Sequence, residues 1–438
     1  SMCESTVRAW QEPLTLPTYR VRPAETAPVF TRPQLYQFAS RYIYPYALDN
    51  NLTNIRQERS YAALYLENQY IKLCVIPELG GKLWYATDKT NGYEIFYRQH
   101  VVKPSNIGAL GAWTSGGIEW CPFHHHRITT FLPTDHAITD NGDGSKTIWV
   151  GEIERTQRMK WAVGITLRPG RSCIETAVRL INRTDEPHSM LYWANAAVHV
   201  NEQYQIIFPP SAWCAAFHVK TSFAHWPVTR DSFAGLDCYK EGIQADWWKN
   251  HLYPISFFVH ALAEEFLAGY DHGRQAGTVH LANRHIMPGA KVFAWGNGDM
   301  GRMWDQVLTD ADGPYAELMV GAYSDNQPDY SWIKPFEVRH FTDYWYPLRQ
   351  TGGLKKANLD AALNLDLAQG VARFALNVTQ AHRGARVELH AGDRVIWRKV
   401  IDIAPDAPLT ADAGVPSGTA QTDLLLRLVA ADGRELIS

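Results

Sequence analysis

The sequence predicts an all-β protein, namely a large antiparallel β-sandwich followed by a small one. Short β-type runs separated by Gly, Asn and Asp turns continue from about residue 52 to residue 350, as in residues 70–76 and 146–150. Convincing amphipathic helices are scarce, and strands do not alternate with helices along the chain. Such a series favours a sandwich or barrel over a doubly wound parallel sheet.

The composition divides the chain into four parts. Residues 1 to about 35 are rich in proline, and residues 1–51 are predicted to form an extended arm packed on the main body, which covers residues 52–350. After Thr351-Gly352-Gly353 the sequence becomes rich in Ala and Leu, so residues 351–368 are predicted to be a linker with a possible helix. Short alternating runs in residues 369–438 predict a small accessory β-sandwich.

Charge and hydropathy exclude two classes of partner. With a formal net charge of −3, the 438-residue chain has no basic field that would attract nucleic acid. No apolar run approaches the roughly 18 residues of a membrane span, and no basic-then-apolar leader follows the first residues. We therefore expect a soluble, cytoplasmic protein with no membrane partner, while a homo-oligomer remains open.

Aromatic residues make up 12% of the chain, with 16 Trp and 21 Tyr. Each indole or phenol has a flat apolar face and a polar edge, a surface on which sugar rings stack. Aromatic side chains also suit β-strands and a large β core, so we expect most of them there. The others lie beside Gly, His and acidic residues, which points to a carbohydrate site.

Three blocks of sequence, in this order, resemble one known superfamily. They are residues 67–83, 116–131 and 312–332, the last continuing into Tyr344-Trp345-Tyr346-Pro347. The first block, with its Gly80-Gly81 bend, resembles the opening of aldose-epimerase-like domains. The second and third are similar to an uncharacterised branch of the galactose-mutarotase-like superfamily that is often followed by tetratricopeptide repeats.

This resemblance implies a galactose-mutarotase-like antiparallel supersandwich over about residues 52–350. It also implies a sugar-sized cleft on the concave face, with a mono- or oligosaccharide as substrate. No single reaction is implied, since the same scaffold serves mutarotases, glycoside hydrolases and polysaccharide lyases. The reaction therefore has to be inferred from the side chains of the three blocks.

Two carboxylates in these blocks are the first candidates for catalysis, since sugar chemistry at the anomeric centre requires paired proton carriers. Glu119 lies between Ile118 and Trp120, whose apolar surfaces are expected to raise its pKa toward that of a general acid. Glu317 lies in the apolar strand 315–320, where burial of a carboxylate without purpose is costly. By the resemblance, Glu317 also occupies the position of the late glutamate that takes the anomeric proton in mutarotases.

Glu337 and His199 complete the catalytic candidates. Glu337 is either a reserve acid or a surface partner of Arg339. By the resemblance, His199 falls where mutarotases carry the histidine that protonates the ring oxygen, a task suited to a neutral imidazole. The motif around it departs from theirs, because Asn201-Glu202-Gln203-Tyr204 replaces the usual continuation. The departure favours a hydrolase over a mutarotase, and a core histidine is the alternative.

The run His124-His125-His126-Arg127 is predicted to bind substrate. In a strand, His124 and His126 share one face and His125 and Arg127 the other, so either pair could contact hydroxyls or a carboxylate. Arg127 could bind an acidic sugar in bidentate fashion. Imidazoles are common metal ligands, but no HExxH motif or matching carboxylate spacing accompanies them, so neither a metal nor another cofactor is predicted.

Aromatic and polar residues near the blocks are predicted to bind substrate as well. Indoles that converge on a cleft would stack on pyranose faces, and Asp325 and Gln327 would either form a turn or bind hydroxyls. The indoles concerned are Trp113, Trp120, Trp304 and Trp332.

The function predicted from these residues is a carbohydrate-active enzyme, namely a glycoside hydrolase. Its preferred pair of carboxylates is Glu317 and Glu119, with Glu337 in reserve. An aldose mutarotase or epimerase would instead use Glu317 and His199 on a free sugar. A non-catalytic carbohydrate-binding protein would need the aromatic residues and not the acids, and a lyase is the fourth alternative.

Overall fold

The structure, a computed structural model, describes residues 6–27, 43–106, 111–123, 126–217, 223–233, 236–237, 241–324 and 329–438. Most of the regular structure in these residues is β-strand, in agreement with the predicted all-β class. No helix in this part of the chain has the length and apolar character that crossing a membrane requires.

The elements follow one another in chain order. Up to residue 199 the strands are β1 (Arg8–Val21), β2 (Leu52–Glu67), β3 (Ile71–Ile76), β4 (Lys82–Asp88), β5 (Ser105–Asn106), β6 (Ala112–Trp113), β7 (Ile118–Cys121), β8 (Asp135–Asp140), β9 (Lys146–Ile153), β10 (Lys160–Leu167), β11 (Ile174–Ile181), β12 (His188–Met190) and β13 (Tyr192–His199). Then come β14 (Tyr204–Ile207), β15 (Cys214–Ala216), β16 (Phe223–His225), β17 (Val228–Thr229), β18 (Ser232–Phe233), β19 (Leu236–Asp237), β20 (Ile243–Gln244), β21 (Ile255–Val259), β22 (Phe266–Asp271), β23 (Ala276–Leu281), β24 (Gly289–Ala294) and the helix α1 (Asp299–Leu308).

The remaining strands are β25 (Tyr315–Ala322), β26 (Ser331–Ile333), β27 (Val338–Arg349), β28 (Lys356–Ala357), β29 (Ala361–Ala368), β30 (Val371–Val378), β31 (His382–Ala391), β32 (Arg394–Ile403), β33 (Leu409–Gly414), β34 (Leu424–Val429) and β35 (Glu435–Ile437). Single 3₁₀ turns occur at Pro77–Leu79, Ile128–Phe131, Trp248–Asn250 and Gln421–Asp423.

Two large antiparallel sheets form the main body. The first has eleven strands in the order β1-β2-β3-β4-β7-β13-β25-β24-β21-β15-β16, and the second has eight in the order β14-β22-β23-β27-β11-β10-β9-β8. Their facing side chains form one hydrophobic core, to which β7 contributes Ile118 and Trp120, β25 contributes Leu318, and β10 contributes Trp161 and Val163. Because side chains alternate along a strand, the other residues of β7 and β25 lie on the outer face of the first sheet.

β1, the longest described segment of the predicted arm, is the edge strand of the first sheet. It pairs with β2 from Arg8 opposite Glu67 to Val21 opposite Leu52. Its proline at position 17 suits an edge strand, since a residue without an N–H donor is tolerated where one side of the strand has no partner.

The C-terminal residues form a second unit of two four-stranded sheets, β28-β29-β30-β33 and β32-β31-β34-β35. A core of its own lies between them and includes Leu365, Phe374 and Leu389. A further cluster joins Ala362 of this unit to Tyr346 and its neighbours on the outer face of the second large sheet. The small sandwich therefore packs on the sheet that does not carry the candidate site described below.

The possible helix predicted for residues 351–368 is wrong. Strands β28 and β29 occupy this segment instead. In Leu363-Asn364-Leu365-Asp366-Leu367, apolar and polar residues alternate with a period of two, and Leu363 and Leu365 pack into the small core. Burial of that face outweighs the helix propensity of Ala and Leu.

Candidate active site

Five neighbouring strands of the first sheet each place one polar residue on the outer face, opposite the core. We call these residues the polar row: Lys82 on β4, Glu119 on β7, Asn195 on β13, Glu317 on β25 and Lys291 on β24. Strand pairing brings them together, because Asn195 lies opposite Glu119 and Ala197 lies opposite Glu317. Paired residues of an antiparallel ladder point to the same face. Each member of the row is at most 7% exposed.

Gly117 brings β7 against β4 and so places Glu119 near Lys82. Its φ is +57°, and a Cβ atom there would lie 1.9 Å from the carbonyl oxygen of Leu83. Glycine is the residue that fits both the left-handed backbone and this contact. The backbone of β7 therefore approaches β4 closely at this residue.

The carboxylate of Glu119 accepts four hydrogen bonds. Oε1 accepts from His126 Nδ1 at 2.8 Å and from Asn195 Nδ2 at 3.1 Å. Oε2 accepts from Trp113 Nε1 at 3.0 Å and from the Thr130 hydroxyl at 2.6 Å. Glu119 thus connects β6, β13 and the segment that follows β7 through hydrogen bonds to one carboxylate. The bond to His126 also orients the imidazole ring.

The pKa of Glu119 is the reverse of what the sequence predicts. Burial alone would raise this pKa, but the charge and hydrogen bond of His126, the Lys82 ammonium and the Thr130 hydroxyl hold it well below its usual range. Trp120, whose indole was expected to raise it, points to the opposite face of the strand. Glu119 is therefore an ionised acceptor, and the predicted general-acid role does not fit its surroundings.

Glu317 has the opposite environment. No described residue donates a hydrogen bond to its carboxyl group, which is buried on the outer face. Burial raises the pKa of Glu317 to about 7, with Glu119 adding to the effect and the charges of His126, Lys291 and Lys82 opposing it. A carboxyl group of this kind holds a proton part of the time at neutral pH and can exchange it with a ligand.

The two lysines of the polar row differ in their contacts. Lys82 Nζ donates to the carbonyl oxygen and, at 3.4 Å, to the hydroxyl of Thr114, and burial lowers its pKa to about 8. Lys291 Nζ lies 4.6 Å from the ring centroid of Phe258 and 5.6 Å from that of Trp193. Burial lowers the pKa of Lys291 too, with the charge of Glu317 opposing the shift.

Aromatic side chains border the polar row. Tyr315, two residues before Glu317, accepts a hydrogen bond from Trp295 Nε1 at 3.0 Å. Trp295 stacks on Trp304 of α1, with ring centroids 4.4 Å apart. Trp113 lies edge-on to His126 and belongs to the same cluster as these rings. Two of the four predicted indoles, Trp113 and Trp304, thus lie beside the row.

Of the other two predicted indoles, Trp120 points into the core, which corrects its expected role in substrate binding, while the role of Trp332 stays a prediction. Trp120 alternates with Glu119 along β7, points into the core and donates from Nε1 to the Gly81 carbonyl at 3.0 Å. Trp332 is 60% exposed in the two-stranded sheet of β12 and β26, which is separate from the sheet of the polar row.

Glu337 is also outside the polar row. Its carboxylate accepts a hydrogen bond from the Lys334 amide at 2.6 Å and pairs with Arg339 Nε at 3.0 Å. The structure therefore corrects the reserve catalytic role and matches the surface-partner alternative, because both contacts are local and at the start of β27.

Arg127 is occupied by the protein itself. Its guanidinium donates to Glu152 at 3.1 Å and to the carbonyl oxygens of Trp120 and Gly80 at 2.8 and 2.7 Å. These contacts fix the segment that carries His126. They leave no bidentate face of the guanidinium for an acidic sugar, which corrects the predicted role.

His199 lies at the end of β13 and accepts a hydrogen bond at Nε2 from the Arg98 amide at 3.2 Å. Its ring lies 4.3 Å from that of Tyr97, and burial lowers its pKa to about 4. The imidazole is thus neutral, and its Nε2 already serves the backbone. The core-histidine alternative fits these contacts better than the predicted catalytic role.

Four predicted substrate-binding residues lie outside the described residues: His124, His125, Asp325 and Gln327. Their roles stay predictions. His126, the described histidine of the same run, lies beside the polar row through its bond to Glu119.

Three side chains could together hold a metal ion. One donor atom each of Glu119, Cys121 and His126 lies within 4.8 Å of the others. Glu119 already accepts four hydrogen bonds, and burial raises the pKa of the Cys121 thiol well above its usual value. Metal binding needs the thiolate, so this donor set fits a cation poorly, and the absence of a metal cofactor stays a prediction.

Four residues of the site were not predicted from the sequence: Lys82, Lys291, Asn195 and Thr130. A signal for Lys291 was present, since it is the single charged residue in the apolar run Gly289-Ala290-Lys291-Val292-Phe293-Ala294. The same reasoning had singled out Glu317. Asn195 and Thr130 carry no comparable signal, because polar uncharged residues are common in strands and turns.

Two family models match the chain. The model described as "Domain of unknown function (DUF5107)" matches residues 39–348, and the model described as "YphG-like protein, second domain" matches residues 356–438. The first covers the two large sheets from β2 onward, including the polar row but not β1, and the second covers the small sandwich.

Solved structures resemble the chain in fold. A TPR-domain containing protein from Parabacteroides distasonis ATCC 8503 is 24% identical with a TM-score of 0.68, and the match covers 79% of this chain and 56% of that one. The chain therefore spans little more than half the length of that protein. A galactose mutarotase-like protein from Clostridium acetobutylicum is 11% identical with a TM-score of 0.44, covering 66% and 96%. The match to the Parabacteroides distasonis protein shows a shared fold, and a TPR-domain containing protein is the kind of relative that the predicted branch implies.

Proposed function

The chain belongs to the family described as a domain of unknown function, DUF5107. From the resemblance of its three sequence blocks to galactose-mutarotase-like proteins, we propose that it is an enzyme that transfers protons at the anomeric centre of a sugar. The carboxyl group of Glu317 carries this proposal. It is buried, receives no hydrogen bond from the described residues, and has a pKa raised to about 7 by burial. Such a group can both take and give a proton near neutral pH.

His126 is the second proton carrier in the proposed reaction. The bond from its Nδ1 to Glu119 fixes the tautomer and the orientation of the ring, so Nε2 is the nitrogen that exchanges a proton with the sugar. Glu119 touches no reacting atom in this scheme and is a positioning residue. The predicted mutarotase pair of Glu317 and His199 is thereby replaced by Glu317 and His126.

The proposed reaction consumes no water and conserves both protons. Glu317, as the carboxylate, takes the proton of the C1 hydroxyl while protonated His126 donates a proton to the ring oxygen, and the bond between C1 and the ring oxygen breaks. The open-chain aldehyde rotates about C1–C2 and closes on its other face. On ring closure, His126 takes its proton back from the hydroxyl group formed at the former ring oxygen, and Glu317 returns its proton to the oxygen on C1. The net change is inversion of the anomeric hydroxyl.

Glycoside hydrolysis is the second candidate, because the pKa values of Glu317 and Glu119 are shifted in opposite directions on one face of the sheet. β13 lies between their strands, and their partners Ala197 and Asn195 are two residues apart, so their Cα atoms are about 12 Å apart. The four hydrogen bonds accepted by Glu119 argue against its use as a nucleophile or base. We therefore place hydrolysis second.

Magnetic resonance can test both candidates on one sample. Exchange spectroscopy measures the interconversion of anomers for a set of free aldoses and sugar acids, while aryl glycosides and oligosaccharides report hydrolysis. We expect faster anomer exchange and no new reducing ends, at a rate that a metal chelator does not change. Release of reducing ends at a rate that depends on Glu119 would instead support hydrolysis.

Glu317→Gln tests the proton carrier, with Glu337→Gln as its matched control. We expect Glu317→Gln to slow the catalysed step by about 100- to 10,000-fold, the usual contribution of a positioned acid or base. The same substitution at Glu337 changes a carboxylate that pairs with Arg339 outside the polar row and should leave the rate unchanged. Unaltered turnover in Glu317→Gln would contradict the proposal. If the wild-type chain bound sugar without turning it over, the result would support a non-catalytic carbohydrate-binding protein.

A further inference from the structure

Lys291 is a buried ammonium group to which the described residues offer neither a hydrogen-bond acceptor nor an ion pair. The residue is 2% exposed in the middle of β24. Burial of an ammonium group is costly unless an anion or an acceptor accompanies it. A ligand that supplies the missing anion would therefore gain binding free energy at this position.

The neighbours of Lys291 are aromatic rings and Glu317. Its Nζ lies over the rings of Phe258 and Trp193, which leave little room for water around the charge. Lys291 lies opposite Met319, so Glu317 is its diagonal neighbour across the ladder, with Cα atoms about 7–8 Å apart. A sugar whose C1 lies at Glu317 is within reach of this ammonium group.

The charges of the polar row do not cancel when Glu317 is in its acid form. Ionised Glu119 and the nearby Lys82 compensate each other. With Glu317 neutral, Lys291 has no counter-charge within the row. One positive charge thus remains for a substrate that carries one negative charge, and the same excess holds in the reacting form, in which Glu317 is the carboxylate and His126 carries the proton.

We propose, on the basis of the proposed function, that the substrate is a sugar acid whose carboxylate binds Lys291 while its anomeric carbon lies at Glu317. A carboxylate carries one charge, whereas a phosphate group carries closer to two at neutral pH. The rings beside the ammonium group strengthen the ion pair, because they lower the effective dielectric constant around it. Arg127, the residue predicted to bind an acidic sugar, is held by Glu152 and backbone carbonyls, and Lys291 takes this role.

Binding to the wild-type chain is the first test. Calorimetric titration compares D-glucuronate, D-galacturonate and D-mannuronate with their neutral parent hexoses, and includes D-glucose 6-phosphate. We expect at least one uronate to bind about 10- to 100-fold more tightly than its parent hexose, as a charge-assisted hydrogen bond would give. The proposal is wrong if no uronate is preferred over its parent, or if the phosphate binds most tightly.

Lys291→Met is the second test, since methionine keeps the length of the side chain without its charge. We expect uronate affinity to fall about 10- to 100-fold, neutral-sugar affinity to stay the same, and the thermal midpoint not to fall. Lys72→Met is the matched control, because the Lys72 ammonium also lies over two rings, Trp10 and Tyr65, outside the polar row. Lys291→Gln repeats the measurement if the methionine variant does not fold.

The outcomes separate this inference from the proposed function. A lowered midpoint with unchanged uronate affinity would mean that Lys291 serves the fold alone. Tight uronate binding without anomer exchange would contradict proton transfer and leave the role of Lys291 intact. Anomer exchange of neutral hexoses with no preference for uronates would contradict the role of Lys291 and leave the proposed proton transfer intact.

Discussion

His126 Nδ1 donates a 2.8 Å hydrogen bond to Glu119 Oε1, and Glu119 holds three other donors in the same buried place. Glu119→Gln would turn an amide NH₂ group toward two of these donors. We expect a loss of about 3–5 kcal/mol in the free energy of unfolding, as for other broken buried charge networks, measured by urea denaturation. In Glu337→Gln, which removes a partly exposed ion pair at the surface, the loss should be about 1 kcal/mol or less. Equal losses in the two variants would contradict a central role for Glu119.

The two histidines should separate chemistry from stability. His126→Asn removes a proposed proton carrier, so we expect anomer exchange to slow by about 100- to 10,000-fold. His199→Phe keeps an aromatic ring beside Tyr97 but removes the acceptor of the Arg98 amide. The unpaired N–H should cost about 1–3 kcal/mol of stability while the rate per folded molecule stays unchanged. If His199→Phe abolished exchange and His126→Asn did not, the histidine predicted from the sequence would be the correct one.

The pH dependence of stability should report the Glu317 proton. Its folded pKa of about 7 lies above the usual value of 4.5, so between these pH values the native chain binds more protons than the unfolded chain. The contribution of Glu317 to the free energy of unfolding should therefore fall as pH rises from about 4.5 to 7. Lys82 has the opposite sign, since its lowered pKa of about 8 makes stability rise with pH between about 8 and 10.5. His199, with a pKa lowered to about 4, also makes stability rise between about pH 4 and 6.5, so urea denaturation across this range needs a variant that isolates the Glu317 contribution.

The variant Glu317→Gln isolates the contribution of Glu317 to the pH dependence of the free energy of unfolding. The substitution removes the titrating group, so the wild-type curve minus the variant curve should fall between pH 4.5 and 7 and be flat above. Lys291, Lys82, Glu119 and His126 surround Glu317 and remain in both proteins. A difference that is flat across the whole range would mean that the pKa of Glu317 is not raised.

Gly117 offers a test of the close approach between β7 and β4. Gly117→Ala would place a methyl group 1.9 Å from the Leu83 carbonyl oxygen at a φ of +57°, so β7 would have to move. We expect a loss on the order of 3 kcal/mol or more, the range of strain at special backbone positions combined with overpacking. Gly142→Ala is the control, because Gly142 has a φ of +77° and open space around it. Its cost should be about 1–2 kcal/mol, from the backbone conformation alone.

Local patterns were sufficient to predict the fold class. Alternation and turn residues predict the many strands, and the isolated acid in an apolar strand identified Glu317. Alternation could also have placed Trp120 on the opposite face from Glu119, since adjacent residues of a strand point to opposite sides. The prediction failed there because the aromatic residue was judged by its type and not by its face.

The remainder of the site depends on which strands are neighbours. Lys82, Glu119 and Lys291 lie far apart in the chain and meet only because β4, β7 and β24 belong to one sheet. The low pKa of Glu119 follows from Lys82 of β4 and from His126 and Thr130, which lie close to it in sequence. That these two side chains face Glu119 depends on the path of the chain after β7, which no strand or helix periodicity predicts. The same limit applies to Arg127, whose partner Glu152 lies on β9.

The contribution of one polar residue by each of five adjacent strands has a consequence for folding. A register slip of one residue in β25 would move Glu317 into the core and turn Leu318 outward, since the side-chain period of a strand is two. A buried carboxylate or ammonium group amid apolar side chains is costly, so each slipped arrangement is penalised by the residue it misplaces. We therefore expect the polar row to select the correct alignment of the central strands before any substrate is bound.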